Sequence, residues 1–255
     1  MLAEINAPAD WRTVDFISDL HLQANETSTF IAWQHYLKNT PADAVFILGD
    51  LFEVWVGDDV VNDTTTDTPR FEAQCAHILQ AAGQRLALFF MHGNRDFLVG
   101  QALMVHCHAQ LLYDPCTLVF NQQRWLLSHG DALCLDDVPY QQFRQLVRSA
   151  QWQADFLAEP VATRLSIARH MRQQSEASKQ ATTTFTDADT SMTMHWLDAA
   201  NAHTLIHGHT HQPADHVLND HQRRVVLSDW DTGATPPRAE VLRLTANGLQ
   251  RVALV

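Results

Sequence analysis

Cysteine is scarce in this chain, and the four present, Cys75, Cys107, Cys116 and Cys134, form no CxxC pair. Scattered through apolar segments, they read as small buried hydrophobes, which excludes a disulfide scaffold and a thiolate zinc site and sets the expectation of a reducing compartment. No apolar run approaches the roughly 18 to 20 residues that a membrane span needs. The opening stretch MLAEINAPADW lacks the basic-then-apolar order of a secretory signal, so a cytosolic chain is expected. Basic residues are few as well: 17 Lys and Arg face 29 Asp and Glu, a formal net charge of −12, which argues against general attraction to nucleic acid phosphates. No internal repeat or low-complexity linker interrupts the 255 residues, enough for one sizeable domain carrying an insertion.

Histidine is what the chain has in quantity, with fifteen. Five segments each end an apolar run with residues that ligate metals. Asp19-x-His21 follows VDFI, Gly49-Asp50 follows AVFIL, and Gly93-Asn94-Arg95-Asp96 follows LALFFMH. His129-Gly130-Asp131 follows RWLLS, and His207-Gly208-His209 follows TLI. Runs rich in Val, Ile, Leu and Phe read as strands buried on both faces, and sheets of that kind place their sites beyond the carboxyl ends of the strands. A single His or Asp at a strand end is ordinary packing or a turn. Five blocks with the same placement are a metal centre.

The rest of the chain alternates strand and helix, the pattern of an α/β fold. Strands are expected within 13–22 and at Val45–Leu48 and Leu86–Met91, with helices at Thr27–Lys38 and Phe71–Ala82. A hairpin is expected from 118–120 and 125–127 about Asn121-Gln122-Gln123. Further strands follow at Thr204–Ile206, Val225–Ser228, Val241–Leu244 and Arg251–Leu254. Between them, about 138–198 shows helical spacing alone and is too long for a bare connection, so it reads as a helical cap inserted between two ligand-bearing strands. Between Arg144 and Lys179 the cap carries Arg144, Arg148, Arg164, Arg169, Arg172 and Lys179 against Asp155, Glu159 and Glu176. That local basic excess suits an anionic lipid or a membrane surface. Trp152, Phe156, Leu157, Val161, Leu165 and Met171 would serve either an acyl groove or the cap's own small core.

Strand geometry puts i and i+2 on one side, so Asp19 with His21, and His207 with His209, are each expected to reach a common ion. Carboxylates, imidazoles and one amide oxygen suit Mn²⁺, Fe²⁺ or Zn²⁺. Asp50 is the natural bridge between two ions, because its strand should lie between those of Asp19 and Asn94.

In this order, DLH, GDLFE, GNRD, SHGD and HGHTH resemble the calcineurin-like metallophosphoesterases. The longer segments LGDLFEVWVGDD, MHGNRDF, SHGDALCLDDVPYQQFR, LIHGHTHQPA and VVLSDW are similar to the branch that cleaves the pyrophosphate of UDP-2,3-diacylglucosamine in lipid A biosynthesis. The resemblance implies a four-layer α-β-β-α sandwich with a helical cap and two Mn²⁺ ions. One ion would be held by Asp19, His21, Asp50 and His209, the other by Asp50, Asn94, His129 and His207. Asn94, Arg95 and His207 would be catalytic. These three would also touch substrate, with Asp137, Ser175, Lys179 and Thr182 from the cap. It further implies an enzyme peripherally bound to the cytoplasmic face of the inner membrane, with no obligate protein partner. Where many relatives carry GNH, this chain has Arg95, a permanent cation that binds phosphate but cannot serve as a general acid. A leaving group that needs no proton, such as the phosphate of a pyrophosphate, is therefore expected.

Overall fold

Two six-stranded sheets face each other in a computed structural model that describes residues 2–62, 70–181 and 186–255, with 174–181 described by backbone alone. One sheet runs β12 (Gly248–Ala253), β11 (Glu240–Thr245), β2 (Val14–Ile17), β3 (Ala44–Leu48), β4 (Ala87–Met91), β5 (Ala109–Leu112). Its last four strands are parallel. The other runs β1 (Ala3–Asn6), β6 (Cys116–Phe120), β7 (Gln123–Leu127), β8 (Thr204–His207), β10 (Arg223–Val226), β9 (Asp215–Val217). Within it β7, β8 and β10 are parallel.

The period-two pleat sorts each apolar run into two cores. Along β3, Ala44, Phe46 and Leu48 enter the core between the sheets, while Val45 and Ile47 enter the core beneath the helices. Strand β4 divides likewise, with Phe89 and Met91 inward and Leu88 and Phe90 outward. Phe46 stacks on Phe89 at 4.3 Å between ring centres. Helices α1 (Thr27–Asn39), α2 (Phe71–Gly83) and α3 (Gln101–His106) cover the first sheet through Trp33, Leu37, Leu79 and Leu103. A third apolar cluster, of Leu126, Leu205, Leu197 and Ala200, packs α7 (Thr190–Ala200) on the second sheet. The layers therefore run α-β-β-α.

The segment expected as a cap forms α4 (Val138–Val147), α5 (Ala150–Ala158), α6 (Val161–Ala181) and α7. Leu197 of α7 lies in the core against Leu126 and Leu205, so α7 belongs to the outer layer of the sandwich and only α4 to α6 remain for a cap. Strands β1, β5 and β9 and helix α3 were not legible in the sequence. Their burial patterns alternate or are mostly exposed, and each has only three to six residues, so they gain their form from neighbouring strands rather than from an apolar run.

One buried polar group ties the first sheet to its helices. Asp15, fully buried on β2, accepts Tyr36 Oη at 2.9 Å and Thr40 Oγ1 at 2.8 Å, and is gripped by Arg243 of β11 through Nε at 2.8 Å and Nη2 at 2.9 Å. Removing the carboxylate leaves a guanidinium and a phenol without their acceptor. Asp15→Ala should lower unfolding free energy by about 3–5 kcal/mol, read by urea denaturation. Metal uptake per folded molecule should not change.

Candidate metal centre

The carboxyl ends of β2, β3 and β4 in one sheet meet those of β7 and β8 in the other, and all five ligand-bearing segments emerge at that junction. Strand β3 lies between β2 and β4, which puts Asp50 between Asp19 and Asn94. The loops are stitched by backbone bonds, Asp19 N–H to Gly49 O at 3.1 Å and Leu20 N–H to Asp50 O at 2.9 Å. Asp96 adds a second clasp: its carboxylate accepts the N–H groups of Leu51 at 2.8 Å and Gly93 at 2.8 Å, joining the loop after β3 to the loop after β4. Burial and then repulsion from Asp50 push the Asp96 carboxyl up to about 7.

Close approach explains the glycines of the motifs. A Cβ on Gly93 would strike the Asp50 carboxylate, one on Gly208 would strike Asp19 Oδ2, and one on Gly49 would sit 2.5 Å from His129 Nδ1. Asp19, His21, Asp50, His209 and His211 all adopt left-handed backbone, with φ between 48° and 68°. Such conformations are uncommon for residues with side chains, and here they cluster at the functional edge.

Two sets of donor atoms result. Asp19, His21 and His211 offer ligand atoms within 4.8 Å of one another, as do Asp19, Asp50 and His129. Asp50 Oδ2 lies 3.9 Å from His21 Nε2 and 3.8 Å from His129 Nε2, so a single oxygen stands between the two sets. Asn94 Oδ1 completes the second set, 3.1 Å from His129 Nε2 and 2.9 Å from His209 Nδ1. Asp19, Asp50 and His129 form a buried floor, and His21, Asn94 and His209 a half-buried rim.

The electrostatics of this pocket call for cations. Burial would raise the Asp19 carboxyl, yet contact with His211 and the charges of His129, His211 and His21 hold it well below the carboxylate range. Burial opposes protonation of His129, but Asp50, Asp19 and Asp131 push it up to about 9. His209 goes the other way, brought down to about 4 by burial and then by the charge of His129. It is a neutral nitrogen donor at neutral pH. Asp19 Oδ1 is buried without a hydrogen bond, a costly arrangement unless a cation takes it. These residues fit a pair of divalent ions, with oxygen and imidazole donors suited to Mn²⁺, Fe²⁺ or Zn²⁺.

The calcineurin-like phosphoesterase profile matches residues 12–213. A UDP-2,3-diacylglucosamine hydrolase of Chromobacterium violaceum is 44% identical, covering 94% of this chain and 98% of its own. A protein of the same name from Bordetella pertussis is 41% identical, covering 93% of each chain. One from Chromohalobacter salexigens is 40% identical, covering 87% of this chain and 90% of its own. The chain belongs to the calcineurin-like phosphoesterase family.

Within that family site, the structure gathers Asp19, His21, Asp50, Asn94, His129 and His209 and leaves His207 out. His207 is the last residue of β8, two after Leu205, so the pleat turns it to the outer helical side of the sheet. There its Nε2 lies 3.5 Å from Arg224 Nη1 and its Nδ1 2.9 Å from Gly208 O. Burial, then the neighbouring carbonyl and Arg224, set its pKa at about 4, with burial dominant. His207, expected as a ligand of the second ion and as a catalytic group, thus lies outside the two donor sets of the described residues. His209 joins Asn94 and His129 in the second set, and His211, unforeseen, takes the place beside Asp19 and His21. His211 Nε2 is 3.4 Å from Asp19 Oδ1 and 3.2 Å from His21 Nε2. Three alternate histidines allow two i, i+2 pairs, and the run TLI does not say at which residue the strand ends.

Glu53 of GDLFE was also missed. It is buried, with Oε2 3.2 Å from His21 Nδ1 and Oε1 3.8 Å from Arg95 Nη1, and it pairs with Arg172 of α6. Arg95 donates its backbone N–H to Asp50 Oδ1 at 2.8 Å, and its guanidinium, 3.8 Å from Glu53, shares that carboxylate with the ligand His21. Asp137 caps α4, accepting Tyr140 N–H at 3.1 Å. The side chains of Ser175 and Lys179, and all of Thr182, lie outside the described residues.

Four of the six cations between Arg144 and Lys179 turn inward. Arg144 and Arg148 meet Asp131, Arg172 meets Glu53, and the buried Arg164 pairs with Asp59. Trp152 stacks on Phe156 at 4.8 Å and meets Phe97 at 6.1 Å, and Phe156, Val161 and Leu165 join the core of the first sheet, so most of the suggested lipid groove packs this segment onto the body of the fold. His211→Gln should take up one ion where wild type takes two, by metal analysis after equilibrium dialysis. His207→Gln should keep both; loss of an ion in that variant would make His207 a ligand, as the resemblance implies.

Proposed function

We propose that this protein hydrolyses the pyrophosphate bond of UDP-2,3-diacylglucosamine, giving UMP and 2,3-diacylglucosamine 1-phosphate (lipid X) in lipid A biosynthesis. The observation that carries the reading is the shared Asp50 oxygen between two donor sets, with Arg95 alongside it. The names of relatives similar along nearly the whole chain supply the substrate.

Two divalent ions, Mn²⁺ in our reading, would polarise a phosphoryl oxygen and bring the pKa of a water toward about 7. The chain's own residues do the rest. Asp19, His21, Asp50 and His211 would hold one ion, and Asp50, Asn94, His129 and His209 the other. Asn94 and Arg95 bind phosphate. The Arg95 guanidinium offers two parallel donors and neutralises charge as it develops, but gives up no proton. Water oxygen joins the α-phosphorus, the bond from that phosphorus to the bridging oxygen breaks, and one proton is released. Lipid X departs as a phosphate, which requires no protonation by an acid, and UMP keeps the oxygen from water.

Helices α4 to α6 act as the cap, with Asp137, Ser175, Lys179 and Thr182 as its substrate contacts. No helix among the described residues is long and apolar enough to cross a membrane. Contact with the cytoplasmic face of the inner membrane is assigned to exposed apolar side chains of α4, Val138, Phe143 and Leu146, since most of the nearby cations are engaged inward.

Incubation with UDP-2,3-diacylglucosamine and Mn²⁺ in ¹⁸O water should yield labelled UMP and unlabelled lipid X by mass spectrometry. Label in lipid X would move the attack to the other phosphorus. Arg95→Ala should lose about 10²–10³ in kcat with both ions retained, a loss typical of removing one charge-stabilising donor. Wild-type turnover in that variant would remove arginine from the mechanism.

A further inference from the structure

The third residue of His129-Gly130-Asp131 is fully buried and holds no ion in the scheme above. Its Oδ2 accepts Tyr140 Oη at 2.5 Å and Arg144 Nε at 2.8 Å, and lies 3.5 Å from Arg148 Nη2, the first two donors standing on α4 and the third at its C-terminal cap. The same Arg148 nitrogen donates to Gly93 O at 2.9 Å, in the loop that delivers Asn94. The Tyr140 ring lies over the His209 imidazole, 5.9 Å between centres and tilted by 27°. One face of α4 thus touches all three loops that supply Asn94, His129 and His209.

Those loops leave two different sheets. Ladder hydrogen bonds fix β7 against β8 and β3 against β4, but among the described residues no ladder joins one sheet to the other. Across the gap, spacing depends on side chains. Arg148 is suited to set it, because a planar guanidinium binds two acceptors in fixed directions where an ammonium on a flexible stem does not.

We propose that the Asp131–Tyr140–Arg144–Arg148 cluster is a positioning device for the second ion, which fixes Asn94, His129 and His209 at ligand spacing by bracing both sheets against α4. The inference rests on the two-ion reading. Asp131, Tyr140 and Arg148 are positioning residues and make no contact with substrate in this account. Outer partners of metal ligands typically govern affinity by about 10–100-fold.

The test is Mn²⁺ titration of metal-free wild type, Arg148→Met, Arg148→Lys and Tyr140→Phe by calorimetry, with thermal unfolding of each metal-free protein alongside. Arg148→Met should weaken the second binding step by about 10–100-fold and leave the first step near its wild-type value. Arg148→Lys should recover part of that loss, since an ammonium can reach one of the two acceptors. Tyr140→Phe keeps the ring over His209 and removes only the hydroxyl, so it should fall between wild type and Arg148→Met. Unchanged second-step affinity in Arg148→Met overturns the proposal, as does an equal loss at both steps accompanied by a lower unfolding temperature. Should Arg148→Met fail to fold, the comparison of Tyr140→Phe with wild type decides by the same criterion. Wild type that takes up a single ion overturns the two-ion reading, and this inference with it.

Discussion

Two carboxylates, Asp19 and Asp50, sit at the bottom of a pocket with almost no access to water. Anions in such surroundings are expensive unless opposite charge is close. The fold surrounds them with imidazoles: His21, His129, His209 and His211 from three loops beyond β2, β7 and β8. The upward shift of His129 against its own burial measures how strongly the pocket draws positive charge. Everything distinctive about this edge of the molecule follows from that demand, including glycines where a Cβ would collide with a carboxylate and ligand residues held in left-handed backbone. Two divalent ions would supply the positive charge that these carboxylates require.

The residues of the site are divided between both sheets. Strand pairing rigidly spaces ligands that share a sheet, while the relation between sheets depends on the apolar core of Phe46, Leu48, Leu127 and Ile206 and on polar braces above it. Asp96 clasps two loops of one sheet, and Arg148 joins loops of both. Helix α4 therefore contributes to the metal edge although it supplies no ligand. The inward pairing of Arg144, Arg148, Arg164 and Arg172 shows where the basic character of the cap is used: it docks the cap on an acidic body.

Much of this was legible in the residues. The buried strands announced themselves as uninterrupted Val, Ile, Leu and Phe, and the helices α1 and α2 by spacing and by Gly83. Short elements without such runs, β1, β5, β9 and α3, were silent because neighbours rather than their own side chains hold them in shape. At the site, Asp19, His21, Asp50, Asn94, His129 and His209 could be singled out from their place after apolar runs. His207 and His211 could not be ranked that way, because choosing between two alternate pairs requires knowing the residue at which β8 ends. The pairings of Asp131 with Arg148 and of Glu53 with Arg172 were not legible, because charge counting assigned those arginines to an anionic lipid or membrane surface.

The linear order of residues determined the chemistry available: which donor types exist, that they follow buried strands, and that an arginine replaces a proton donor beside the asparagine. Local propensity and periodicity suffice for that, since each depends on neighbours along the chain. Only the folded arrangement decided which histidines share an ion, which carboxylate stands between two sets, and which arginines are free. Those outcomes depend on pleat direction at a strand's last residue and on the meeting of two sheets, and neither is a property of any single segment.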